Sequence, residues 1–176
     1  MRDSGEHIVE EQDSERERAT KRDKMRRSDS AEQAEACSKE DSLRFGRRVI
    51  DQAQRHLGAR YAYGKMGPEA FDCSGFTLFV FRACGVRLDH SSGAQYRQGH
   101  AVSSRKELRI GDLVFFGGRN NPTVIGHVGI VTKADPKTGC FSFIHADSRG
   151  VRISSSTEAY YAARYVGARR FYSPEE

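Results

Sequence analysis

The stretch from Cys73 to Gly85 (CSGFTLFVFRACG) constrains the fold more than any other part of the chain. Phe76, Leu78, Phe79, Val80, Phe81 and Ala83 fall almost all round a helix, and Gly85 stops it. A helix with no polar face has to be central and buried, so the remaining elements must pack around it. Upstream, Leu43, Val49, Ile50, Ala53 and Leu57 lie close to helical spacing and end at Gly58, which predicts an amphipathic helix followed by a turn. A glycine-punctuated aromatic loop, Ala59 to Phe71, then leads into Asp72-Cys73-Ser74-Gly75. After a polar connection from Leu88 to Gly99 the pattern changes to short β-type runs: Leu113 to Phe116, His127 to Thr132, Phe141 to His145, Val151 to Ile153 and Tyr165 to Tyr172. The turns at Asn120-Asn121-Pro122 and Asp135 to Gly139 suit antiparallel neighbours. Helices first and strands afterwards predict an α+β domain, with helices packed on one side of an antiparallel sheet of about five or six strands.

The first forty residues offer no such material. They carry a net charge of −3 against +8 for the rest, and Ile8-Val9 is their one adjacent apolar pair. So little apolar surface cannot offset the entropy of ordering, although Glu, Arg, Lys and Ala would tolerate a helix. The expectation is a charged, flexible tether over residues 1–41 and one folded domain over 42–176. The positive charge belongs to the part that folds and is dispersed along it, which argues against a nucleic-acid-binding arm. No stretch approaches the roughly 18 apolar residues of a membrane span, and the start lacks the apolar segment of a signal peptide.

Four cysteines, Cys37, Cys73, Cys84 and Cys140, are too scattered for a disulfide framework or a structural zinc site. Cys73 stands out because it opens the buried helix. Free N–H groups and the positive end of the dipole there would stabilise a thiolate, so a lowered pKa is expected. Cysteine beside an apolar run is more commonly a small core residue, and Cys84, roughly 16 Å further along the same helix, is read as core. Cys37, in the tail, and Cys140, at a strand start, are read as having no function.

A cysteine nucleophile needs a base. His7 lies in the tail, and His56, His90 and His100 fall on a polar helix face or in loops. His127 and His145 sit in strand patterns. Alternation places His127, Gly129 and Val131 on one face of their strand, with glycines leaving room beside the imidazole. His145 shares a face with Phe141 and Phe143. Two histidines on neighbouring strands, facing a helix that begins with cysteine, make a thiol-protease arrangement in which His145 would orient His127.

The blocks Tyr61-Ala62-Tyr63-Gly64, Asp72-Cys73-Ser74-Gly75-Phe76, Ser91-Ser92-Gly93-Ala94-Gln95, Gly111-Asp112-Leu113-Val114-Phe115-Phe116, Gly126-His127-Val128-Gly129-Ile130-Val131 and Ile144-His145-Ala146 resemble, in order, those of the NlpC/P60 cysteine peptidases. The resemblance covers about Ser42 to Tyr172. It implies a papain-like fold and hydrolysis of amide bonds in peptidoglycan stem peptides or crosslinks, with Cys73 as nucleophile, His127 as base and His145 as orienter. It implies that Tyr61, with Tyr63 as the rival, shares the oxyanion site with the Cys73 N–H, and that Asp72, Ser74, Tyr63 and Ser92 contact substrate; Asp72 could equally cap the helix. No metal or organic cofactor is required. The chain departs from the family pattern at Lys65, where a second glycine is common, and at His90, where an arginine is frequent. Both positions border the substrate groove. A monomer acting outside the cytoplasmic membrane is expected, with a leader that this sequence lacks. Two other readings stay open: an amidase or acyltransferase of related fold on another substrate, and a wall-binding module without turnover.

Overall fold

The computed structural model describes residues 6–172, with side chains from residue 14 onward except at Cys37. The expectation for Cys37 therefore lies outside the described residues. The chain divides into two units, Met1–Glu40 and Asp41–Glu176. A first helix, α1 (Glu6–Gln54), runs through the boundary. In the first unit the helix is exposed along residues 15–36. It is supported by good helix formers and by local contacts such as the Arg27–Asp23 ion pair at 3.2 Å, one turn apart. The helix expected from Ser42 thus begins far upstream, because nothing in the charged stretch breaks it. It ends at Gln54, three residues before Leu57.

Within the second unit, Phe45, Val49 and Ala53 of α1 are buried against the helix α2 (Cys73–Ala83). Close approach is enforced at Gly46, where a Cβ would collide with the Ile110 carbonyl; Gly111, itself at φ +87°, sits against Gly46. The loop between the helices holds two short strands, β1 (Arg60–Tyr61) and β2 (Ala70–Phe71), paired in parallel so that Tyr61 lies opposite Phe71. Sequence periodicity cannot report strands of two residues. A short helix, α3 (Ser92–Gln95), and an edge strand, β3 (His100–Val102), follow.

The remaining strands are β4 (Leu113–Gly117), β5 (Ile125–Ala134), β6 (Phe141–Asp147), β7 (Gly150–Ser155) and, after the short helix α4 (Ala159–Ala162), β8 (Tyr165–Arg170). They form with β3 a six-stranded antiparallel sheet in the order β3-β8-β4-β5-β6-β7. The five strands expected are all present; β3 was hidden because it is only three residues long and mostly exposed. The structure is α+β, as expected, with helices packed against an antiparallel sheet.

Alternation along the strands makes two cores. Leu113, Phe115, Val128, Ile130, Ile144 and Ala146 face α1 and α2. Val114, Phe116, Val131, Phe141 and Phe143 face the other way, where Tyr161 of α4 covers them. Asp112 anchors the start of β4: its carboxylate accepts Nε and Nη2 of Arg170, both at 2.8 Å, and the Arg109 N–H at 2.8 Å. Burial pushes the Asp112 pKa up, and the fork-to-fork contact with Arg170 counters it. The conspicuous Gly-Asp block is therefore structural.

Candidate active site

Asp72 sets the geometry of the cysteine. Its Oδ1 accepts the Gly75 N–H at 2.6 Å, which makes it the N-cap of α2, and its Oδ2 accepts the Gly64 N–H at 2.9 Å. Both oxygens also lie 3.1 Å from His90 Nε2. Gln95, fully buried, holds the same turn from behind: its Nε2 donates to the carbonyls of Ser74 (3.0 Å) and Asp89 (2.7 Å), and its Oε1 accepts from Thr77 Oγ1 at 2.7 Å. Cys73 is consequently fixed as the first residue of α2.

Two of the expectations change here. First, His127 and His145 lie on the sheet face of Phe116, Phe143 and Tyr161, not on the face that α2 covers; Phe143 and Tyr161 stand 4.7 and 5.4 Å from His145, centroid to centroid. Cys73, in the first turn of α2, and His127 nevertheless line one cleft of about 420 Å³. Second, the Cys73 thiol is not acidified. Burial and then the Asp72 carboxylate push its pKa up to about 11, against the lowering effect of the N–H groups of Ser74, Val128 and Cys73 itself. The helix end supplies its donors, as expected, but desolvation outweighs them.

The imidazoles form a chain. His127 Nε2 lies 2.8 Å from His145 Nδ1, and His145 Nε2 lies 2.8 Å from Ser154 Oγ. His145 is fully buried. Room for it comes from Gly129, where a Cβ would stand 2.6 Å from Phe143 Cδ2 and 3.2 Å from His145 Cβ. Burial lowers the His127 pKa to about 4; burial and then the neighbouring His127 lower that of His145 as well. All these shifts run against the charged form of each group taken by itself.

Tyr61 lines the same cleft and keeps its proton, since burial and then the nearby Cys73 raise its pKa. Ser74 and Asp72 are buried and turned toward each other, with Ser74 Oγ 3.4 Å from Asp72 Oδ1. Tyr63 is 91% exposed, and neither it nor Ser92 lines the cleft. The cleft gains Asp147, Glu158, Tyr160 and Tyr161, with Arg119 and Arg149, none of which the sequence singled out. Asp147 was accessible in principle, two residues after His145 on the same strand face. Its pKa is lowered despite the opposing effect of burial: the Arg149 N–H and the Arg152 guanidinium, at 2.8 and 2.9 Å, hold it ionised. Cys84 is buried in the core, and Cys140 is a half-buried free thiol just before β6. Among the described residues no cluster of His, Cys, Asp and Glu could hold a metal, and no helix is long and apolar enough to cross a membrane.

Residues 58–170 match the model of the NlpC/P60 family. The chain is 40% identical over 119 residues to a probable endopeptidase p60 of Listeria seeligeri, which covers 68% of this chain and 21% of that protein. It is 40% identical over 128 residues to the murein DD-endopeptidase MepS/murein LD-carboxypeptidase of Escherichia coli K12, covering 72% of this chain and 63% of the relative. The chain thus spans about a fifth of the length of the first of these relatives. Among solved structures, an NlpC/P60 family protein from Bacillus cereus superposes with a TM-score of 0.64 at 31% identity, covering 73% of this chain and 40% of that one.

Proposed function

As the chain belongs to the NlpC/P60 family, we propose that it is a cysteine peptidase that hydrolyses amide bonds in peptidoglycan stem peptides or crosslinks. The observation that carries this reading is the meeting of Cys73, at the first turn of α2, with His127 in one cleft, while His145 stands 2.8 Å behind His127.

The chemistry follows from the protonation states. His127 Nε2 is engaged by His145, which leaves Nδ1 as the nitrogen for the cysteine. Because a free thiolate is disfavoured, proton transfer from Sγ to Nδ1 accompanies attack of sulfur on the substrate carbonyl. The developing oxyanion is met by the Tyr61 hydroxyl and the Cys73 N–H. Collapse of the tetrahedral intermediate breaks the C–N bond, and the imidazolium returns its proton to the departing amine. Water, deprotonated by His127, then attacks the thioester and restores the thiol, so one amide and one water give one carboxylate and one amine.

Asp72 and Ser74 serve this reaction by fixing the helix start, and Tyr63 and Ser92 serve as contacts for substrate beyond the cleft. The relative named as a murein DD-endopeptidase and LD-carboxypeptidase supports peptidoglycan as substrate and a site of action outside the cytoplasmic membrane. In this reading the charged stretch before residue 42, exposed along residues 15–36, is the tether of a monomeric catalytic domain, and the +8 body favours approach to an anionic wall. Digestion of purified peptidoglycan with mass spectrometry of the muropeptides tests the proposal. Release of stem-peptide fragments by the wild type and not by Cys73→Ala is expected, whereas equal release by both overturns it.

A further inference from the structure

Resting on the peptidase reading, we propose that Ser154 is a positioning residue, the terminal member of a chain Cys73–His127–His145–Ser154, and that its hydroxyl holds His145 in the tautomer protonated at Nε2. His145 is fully buried, and each of its ring nitrogens has one partner: Nδ1 faces His127 Nε2 and Nε2 faces Ser154 Oγ, both at 2.8 Å. Ser154 is itself 2% exposed. The register of β6 and β7 sets Phe143 opposite Ser154 and His145 opposite Arg152, so the hydroxyl reaches the imidazole along the diagonal. Phe143 and Tyr161 close around the ring.

A neutral imidazole has one N–H, and its position decides whether the site can work. With the proton on Nε2, His145 donates to Ser154 Oγ and offers the Nδ1 lone pair to the Nε2–H of His127. The Nδ1 of His127 is then bare and can take the proton of Cys73. With the proton on Nδ1 of His145 the chain runs backwards: His127 Nε2 accepts, the proton of His127 sits on Nδ1, and no acceptor faces the thiol. The imidazolium that forms on His127 during attack carries hydrogens on both nitrogens, so it also needs a bare Nδ1 on His145. One tautomer of His145 therefore serves the resting and the charged state, with no proton moved in the second ring. Without the Ser154 hydroxyl, the Nε2–H would be a buried donor with no acceptor, whereas a bare Nε2 would be a buried lone pair, which is better tolerated. Removing the hydroxyl thus favours the backward chain.

Ring nitrogen NMR of the full chain labelled with ¹⁵N-histidine tests this, together with kcat and KM on a purified muropeptide. In the wild type His145 should carry its proton on Nε2. Ser154→Ala should move that proton to Nδ1 and lower kcat about tenfold or more, with KM little changed, the scale of losses when a group that orients a histidine ligand is removed. Ser154→Thr, which keeps the hydroxyl, should restore both tautomer and kcat. A wild-type His145 protonated at Nδ1 overturns the proposal, and so does a Ser154→Ala variant with the wild-type tautomer and kcat. If Ser154→Ala does not fold, the wild-type tautomer and the Ser154→Thr kinetics decide: Nε2–H with full kcat supports the proposal, and Nδ1–H or a tenfold loss in Ser154→Thr overturns it. Failure of the peptidase reading is distinguishable, because it shows as a wild type without turnover while the ring tautomer is still read.

Discussion

The two ends of α2 carry the same residue in different company. Cys73 opens the helix and Cys84 caps its far end, and burial raises the pKa of both thiols. Cys84 lies in the core with Phe45 and Phe81. Cys73 shares a cleft with His127 and Tyr61. The difference teaches that, in this domain, the helix end does not by itself make a nucleophile. Desolvation cancels what the dipole and free N–H groups offer, and in the proposed function it is an imidazole able to take the proton during attack that sets Cys73 apart from Cys84.

The sharpest break of this comparison is a pair of substitutions. Cys73→Ala is expected to abolish release of stem-peptide fragments, while Cys84→Ala, which only shortens a core side chain, should leave turnover intact in the same muropeptide assay. Next in size, His127→Ala should reduce kcat/KM by about 10²- to 10⁴-fold, the usual contribution of a positioned base. Loss of an oxyanion donor in Tyr61→Phe should lower kcat roughly 10²-fold with little effect on KM, as determined by steady-state kinetics.

Much of this difference was legible in the sequence, though not its cause. The near-continuous apolar run from Phe76 announced a buried helix, and the Asp72-Cys73 start announced its cap, because both are local patterns. Strand alternation placed His127 with Val131 and His145 with Phe143, and the structure keeps those pairs on one face. The side of the sheet from which the histidines approach was not legible, since alternation relates residues along a strand without saying which layer covers each face. The high thiol pKa was hidden for a similar reason, as it depends on tertiary burial and on the Asp72 carboxylate. Ser154, within a run of three serines, and His90, within a polar loop, carry no periodic signal. Their partners come from strand register and from a loop returning to Asp72.

Smaller effects sharpen the same contrast. Cys84→Ala should cost about 1 kcal/mol of stability in denaturant unfolding, the lower end of losses for trimming a buried side chain, whereas Cys73→Ala at the half-buried helix start should cost less. The histidines add a pH signature. Their folded-state pKa values lie below the ordinary 6.5, with His127 near 4, so between those limits the unfolded chain binds more protons. The stability from keeping them neutral is therefore fully present above pH 6.5 and is lost as the pH falls toward 4. The melting temperature should decline over that window, and the decline should be shallower in His145→Gln.

The most direct test of the claim that the imidazole, and not the helix end, makes Cys73 reactive is alkylation by iodoacetamide at neutral pH. Rates at Cys73 and Cys84 would be followed by peptide mass spectrometry in the wild type and in His127→Ala. Cys73 should react faster than Cys84 in the wild type and lose most of that advantage without His127. A Cys73 that remains as reactive in His127→Ala, or that never exceeds Cys84, would contradict it.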